Sequence, residues 1–303
     1  MKGIFANRSA LFHTGVLFYL FLLGIIVRAV IDIGIESVLQ ILPVPSSGSS
    51  QLFFYRMHLI QFSSAILMFL MPALITAYLC SHTPGAFLHI RKIKNARVFV
   101  LAILMMLFLS PSIDLTAFIN SKLSLPDSMA PLENWFRETE DRLDEISQRL
   151  LSEKGFMPLI VNFLVIAALA GVSEEFLFRG ALLSIIRKKI TNPHVAIWLI
   201  AILFSAIHFQ FYGFLPRMLL GAMLGYMLYW SKSIWIPVFA HFLNNAIAVT
   251  VSYVNIDHPD VIGLDTIHEN MKSGEWIAYI AIAMLGVFLF IVCAKGMKKI
   301  CTS

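Results

Sequence analysis

The sequence predicts an all-α, polytopic membrane protein with about eight transmembrane helices and one amphipathic interfacial helix. Composition is the first observation behind this. The chain is 58% hydrophobic and 14% charged over 303 residues, against about 25% charged in ordinary soluble domains. The second is a mean hydropathy of +0.80. The third is the recurrence of apolar runs near the ~20 residues that a helix needs to cross a bilayer core.

The elements follow in order. His13–Ile33 is the first span, read as retained because no small-residue cleavage site is obvious. Met57–Cys80 is the second. Val98–Ile119 is the third, with a break expected at Ser110-Pro111. Met157–Ile186 is the fourth. Val195–Phe209 and Phe214–Trp230, short and poorly separated, are the fifth and sixth. Ile234–Val254 and Trp276–Ala294 are the seventh and eighth. Ser46-Ser47-Gly48-Ser49-Ser50 reads as a flexible loop. No internal repeat is visible.

Charge sets the orientation. Arg91, Lys92, Lys94 and Arg97 follow the second span, and Arg187, Lys188 and Lys189 the fourth. Lys232 follows the sixth, and Lys295, Lys298 and Lys299 the eighth. Pro43–Gln51, Asn120–Lys154 and Asp257–Glu275 are acidic or polar. By the positive-inside rule the basic loops and both termini are expected to be cytoplasmic. The net charge of +5 comes without a long Lys/Arg block, which argues against a nucleic-acid partner. Cys80, Cys293 and Cys301 have no metal or disulfide spacing.

Between the third and fourth spans, Leu132, Trp135, Phe136, Leu143, Ile146 and Leu150 recur at three- and four-residue steps. Arg137, Glu140, Asp141, Asp144 and Glu145 fill the opposite face. This is an amphipathic helix over Pro131–Glu153, with Pro131 in its first turn. It is expected on the membrane surface or over the bundle, either as a packing connector or as a lid over a site. The expected organisation is residues 1–127 for the first three spans and 128–156 for the connector. Residues 157–254 form a core of four spans, and 255–303 a loop and the last span.

Charge inside the bilayer is costly, at about 2.5–3.5 kcal/mol per group on the lenient scale. The fourth span nevertheless holds Glu174, Glu175 and Arg179. The fifth ends in Phe204-Ser-Ala-Ile-His208-Phe209, and the seventh holds His241, Asn244 and Asn245. Residues four apart share a helix face, so Glu175 can pair with Arg179, and His241 with Asn245. Glu174, five residues from Arg179, is the better candidate for an unpaired carboxylate. A buried carboxylate near histidine can act as a base towards water. A histidine and an asparagine amide can stabilise an oxyanion. The bland alternative for each cluster is a packing bridge. Arg28 and Asp32 are expected to pair, Arg217 to snorkel, and Asp114 to lie at a helix break; none is assigned a catalytic role.

Glu174-Glu175-x-x-x-Arg179, Phe204-x-x-x-His208 and His241-x-x-x-Asn245, in that order, resemble the CPBP (Abi) family. That family includes the type II CAAX prenyl endopeptidases and bacterial proteins linked to bacteriocin processing or self-immunity. The resemblance covers about Val161–Val251. It implies an intramembrane glutamate protease on an eight-helix fold, working without a metal or other cofactor. It implies that Glu174 with His208 activates water, that His241 and Asn245 form the oxyanion hole, and that Glu175 and Arg179 orient the site. The implied partner is a membrane-associated protein or peptide. Three other readings stand beside it. One is a non-enzymatic immunity protein or scaffold. Another is a metal-dependent membrane protease, since Glu and His are competent zinc ligands although no HExxH is present. The last is a transporter, for which no Gly/Pro-broken span pair is visible.

Overall fold

A computed structural model describes residues 2–41, 49–257 and 271–302. The expected loop at Ser46–Ser50 lies largely outside them, as does most of Asp257–Glu275. Within them the chain is helical and has no strand. α1 is Ala10–Ile41. α2 covers residues 49–80, with a π-helical turn at Ala65–Leu70. α3 is Arg97–Ser121 and α4 is Ala130–Leu151. α5 is Phe156–Ile186. α6 is Pro193–Ala206, α7 Phe214–Ser231, α8 Trp235–Asp257 and α9 Ser273–Thr302.

Every expected span is a helix. Among the described residues six are long and apolar enough to cross a membrane: α1, α2, α3, α5, α8 and α9. α6, at 14 residues, is apolar but shorter than a bilayer core requires, and α7 is not among the six either. The chain is an integral membrane protein, and the count of eight is not reached by this measure.

Two expectations change. α3 is continuous through Pro111. Proline lacks the N–H that would bond the carbonyl four residues back, here Leu107. The Ser110 hydroxyl donates to that carbonyl at 3.0 Å. A hydroxyl that takes over the freed acceptor lets an apolar helix tolerate proline. α6, in turn, stops at Ala206 and not at Phe209. His208 N–H and Phe209 N–H bond back only three residues, to Ser205 and Ala206. Phe209 then turns left-handed at φ 54°.

The chain forms two compact units. The first comprises Met1–Arg91, Ile146–Asn192 and His241–Asp257. Here α1 meets α2 so closely that a Cβ on Gly24 would strike the Leu67 backbone. Lipid is as apolar as leucine, so helices in a bilayer associate through such close packing and through polar contacts. Arg28 and Asp32 of α1 pair as expected. Polar contacts also tie the unit's helices. Asn162 Oδ1 of α5 lies 2.6 Å from His58 Nε2 of α2. Ser184 of α5 donates to the Phe87 carbonyl at 2.6 Å. Lys188 Nζ, just beyond α5, lies 2.9 Å from His13 Nδ1 of α1.

The second unit comprises Lys92–Glu145, Pro193–Ala240 and His258–Ser303. Its core joins Val98, Ala102 and Met105 of α3 with Met223, Leu224 and Met227 of α7 and Cys293, Ala294 and Met297 of α9. Gly221 and Gly225, four apart on α7, face Ala201 and Ile197 of α6. This small-xxx-small spacing allows backbones to approach. A Cβ at Gly225 would come to 2.8 Å from Ile197. Asp114 of α3 accepts a hydrogen bond from the Tyr279 hydroxyl of α9.

Candidate active site

The acidic pair lies in α5 between two π-helical stretches, Phe163–Leu169 and Phe176–Leu182. Such stretches widen a helix and recur at functional sites. Glu175 Oε1 accepts from Arg179 Nη1 at 2.7 Å, and both side chains are fully buried. The i,i+4 spacing made this pair readable from the sequence. α8 begins with Trp235-Ile236-Pro237, where proline is tolerated because first-turn N–H groups lack helical partners. One turn further, His241 presents Nδ1 to the same Glu175 oxygen at 2.9 Å. Glu175 thus holds a guanidinium from its own helix and an imidazole from another.

His241 is itself buried. With Nδ1 donating to a carboxylate, Nε2 is the second polar atom of the ring. Nε2 lies 3.8 Å from Glu174 Oε2. The ring therefore stands between two adjacent carboxylates in different settings. The Glu174 side chain keeps 19% exposure, and that of Glu175 none. Asn245 donates to the Ile166 carbonyl of α5 at 3.0 Å, and Asn244 Nδ2 donates to Asn245 Oδ1 at 3.3 Å. The bond to Ile166 fixes α8 to α5 and uses one of the two N–H donors of the Asn245 amide. Glu174, Glu175, Arg179, His241 and Asn245 are thus gathered in the first unit. Among the described residues no group of three or more His, Cys, Asp or Glu side chains could hold a metal ion.

His208 belongs to the second unit and occupies the turn between α6 and α7. Its Nδ1 donates to the Phe204 carbonyl at 2.7 Å, which leaves Nε2 as the acceptor of the neutral ring. The surrounding turn is held by side chains from α3, α4 and α6. Asn120, at the end of α3, donates to the Phe211 carbonyl at 2.8 Å and accepts from Leu215 N–H at 2.9 Å. Ser205 donates to the Phe214 carbonyl at 2.7 Å. From α4, Glu140 accepts the Tyr212 N–H at 2.9 Å. Phe136 stacks on Phe211 with ring centroids 4.9 Å apart and 6° between planes. Arg137 lies 4.4 Å over the Tyr212 ring. Arg217, expected to snorkel, turns back to donate to Gln210 at 2.5 Å. A usable signal was present: Asn120 and Ser205 are polar residues at the ends of apolar helices, where backbone groups need outside partners.

The α4 carboxylates divide by environment. The Arg137 guanidinium, helped by Leu125 N–H, holds Glu133 below the usual glutamate value. Burial pushes Glu140 up, with Asp144 adding repulsion against the pull of the Tyr212 N–H and Arg217. Burial, and then Asp141, raises Asp144.

Residues 156–247 match the family described as type II CAAX prenyl endopeptidase Rce1-like. The chain is also 27% identical over 134 residues to the uncharacterized protein YpbD of Bacillus subtilis (strain 168). That alignment takes in 43% of this chain and 61% of the relative's length. No solved structure matches. The matched segment contains all three motifs, from Glu174 to Asn245, and leaves α1–α4 and α9 outside.

Proposed function

We propose, from the premise that residues 156–247 are an Rce1-like segment, that this protein is a membrane-embedded endopeptidase of the glutamate type. The family is one of CAAX-protease-like membrane endopeptidases, and a membrane-associated peptide is the substrate class that fits it. The observation that carries the reading is the asymmetry of the paired carboxylates. Glu175 is buried on Arg179 and His241, while Glu174 keeps some exposure beside the same imidazole.

Residue roles follow the resemblance and the chemistry of each group. Glu174 deprotonates a water whose oxygen attacks the scissile carbonyl carbon, and His208 is assigned to the same step by the resemblance alone. The proton moves to the Glu174 carboxylate. His241, as the doubly protonated imidazolium with Nδ1–H on Glu175 and Nε2–H as the second donor, and the second amide N–H of Asn245 are the donors for the resulting oxyanion. Glu174 then returns its proton to the departing amine as the C–N bond breaks. The products are a new carboxyl terminus and a new amino terminus. Glu175 and Arg179 fix the His241 ring.

A non-catalytic scaffold is the second reading, because buried, mutually bonded Glu175, Arg179 and His241 would also serve as a packing bridge. One experiment separates the two. Termini of membrane proteins are compared between cells making wild type and cells making Glu174→Ala at matched levels. Termini present only with wild type support the endopeptidase and name its substrates. Identical termini, with the wild-type phenotype kept by the variant, support the scaffold.

A further inference from the structure

The turn carrying His208 is a short segment with many backbone groups to satisfy. It runs from the end of α6 at Ala206 to the start of α7 at Phe214. A buried N–H or C=O must find a partner, and here side chains supply four of them. Asn120 takes Phe211 C=O and Leu215 N–H, Ser205 takes Phe214 C=O, and Glu140 takes Tyr212 N–H. Asn120 and Ser205 are almost wholly buried. Phe136, stacked on Phe211, and Arg137, over Tyr212, cover the same turn. The Tyr212 hydroxyl also reaches Glu133 Oε1 at 3.3 Å.

Apart from that of Ser205 in α6, these contacts come from two directions. α3 contributes Asn120, and α4 contributes Glu133, Phe136, Arg137 and Glu140. Neither helix lies in the matched 156–247 segment. The left-handed backbone at Phe209 adds a reason for an outside hold, because φ 54° is unfavourable for a phenylalanine unless its surroundings fix it.

We propose that the end of α3 and the amphipathic helix α4 form a clamp that sets the position of His208, with Asn120 and Glu140 as its positioning residues. The proposal rests on the reading of His208 as part of the catalytic set. Neither Asn120 nor Glu140 touches the reacting atoms. Each fixes a backbone group within seven residues of His208, and the turn in turn fixes the imidazole whose Nδ1 is committed to Phe204. α4 is on this account neither a passive connector nor a freely opening lid.

The test uses the full chain in lipid nanodiscs, as wild type, Asn120→Ala, Glu140→Ala and Glu140→Gln. Glutamine keeps a carbonyl oxygen for the Tyr212 N–H and is the conservative rescue. Two readouts need no substrate: amide hydrogen exchange over residues 207–215, and the ¹⁵N signals that report the His208 ring tautomer. A third is kcat and KM on a farnesylated C-terminal peptide, with any substrate identified from the terminus comparison run alongside.

Losing one such bond speeds exchange across the turn by about tenfold. Asn120→Ala and Glu140→Ala should show this, with mixed His208 tautomers, and Glu140→Gln should not. Turnover should fall in the two alanine variants with KM kept. Unchanged exchange and ring signals in Glu140→Ala, the more exposed and so better tolerated change, would overturn the clamp. So would lost turnover over an undisturbed turn. If the turn loosens as expected but wild type cleaves nothing in either assay, the clamp stands as a structural device and the endopeptidase reading fails.

Discussion

Glu174 and Glu175 are neighbours in sequence with opposite surroundings. A helix turns about 100° per residue, so adjacent carboxylates cannot share one setting. Arg179 is four residues from Glu175 and claims it. Removing one partner of a buried pair leaves an uncompensated charge and costs about 3–5 kcal/mol. Arg179→Met and Glu175→Leu are therefore each expected to lower the thermal midpoint of the detergent-solubilised protein sharply. The paired Glu175→Leu/Arg179→Met variant should recover much of that loss; a double variant as unstable as either single one would show that the pair is not the determinant. Glu174→Gln should leave the midpoint near wild type while lowering turnover by about 10²–10⁴-fold, the range for losing a general base. Equal losses of stability and activity would reassign Glu174 to packing. Because the base must be ionised to take a proton, activity should fall on acidification, and a flat acid limb in the pH–rate profile would count against it.

The helices behave as local chemistry dictates, with their ends decided elsewhere. α3 passes through Pro111 because Ser110 takes the Leu107 carbonyl. Ser110→Ala should cost about 1 kcal/mol and raise hydrogen exchange around residues 107–112; no change there would mean that the carbonyl is satisfied in another way. On α4, burial raises Glu140 and Asp144 above their ordinary values. A carboxyl whose folded value lies above its unfolded one binds more protons when docked, so docking weakens as pH rises through that window. The groups around Glu140 are Asp144, Arg217 and the Tyr212 and Gly213 backbones. Protection of residues 207–215, corrected for intrinsic exchange, should therefore be greater at mildly acidic pH than at neutral pH. Glu140→Gln should flatten much of that dependence, and an unaltered slope would move its origin to Asp144.

At the scale of the whole chain, both units are assembled from three separated stretches of sequence. The family segment supplies α5 and the later part of α8 to one, and α6, α7 and the start of α8 to the other. Orientation remains the prediction of the basic loops. Reporter fusions at residues 92, 189 and 303 should read as cytoplasmic, and one at residue 265 as external; a reversed pattern would reject the assignment from positive charge. Gly225→Ile offers a packing test within the second unit, because the Cβ position already lies 2.8 Å from Ile197. It should reduce the yield of folded protein without altering the charges near either histidine, and full yield would show that α6 and α7 can separate at no cost.

The sequence by itself determined the all-α membrane class, a helix at every expected span, the amphipathic α4 and the pairs Arg28–Asp32 and Glu175–Arg179. Those features depend on period, length and i,i+4 spacing, which are local properties of a helix. Tertiary structure alone decided that Asn245 binds the Ile166 carbonyl, 79 residues away. It alone brought Asn120 to Phe211 and Leu215, 91 and 95 residues on, and Glu140 to Tyr212, 72 residues on. It also decided that α6 stops before His208. The reason is that the backbone groups of a turn do not specify their partners. Any buried donor or acceptor must be satisfied, and which side chain does so depends on which distant helix end packs against it.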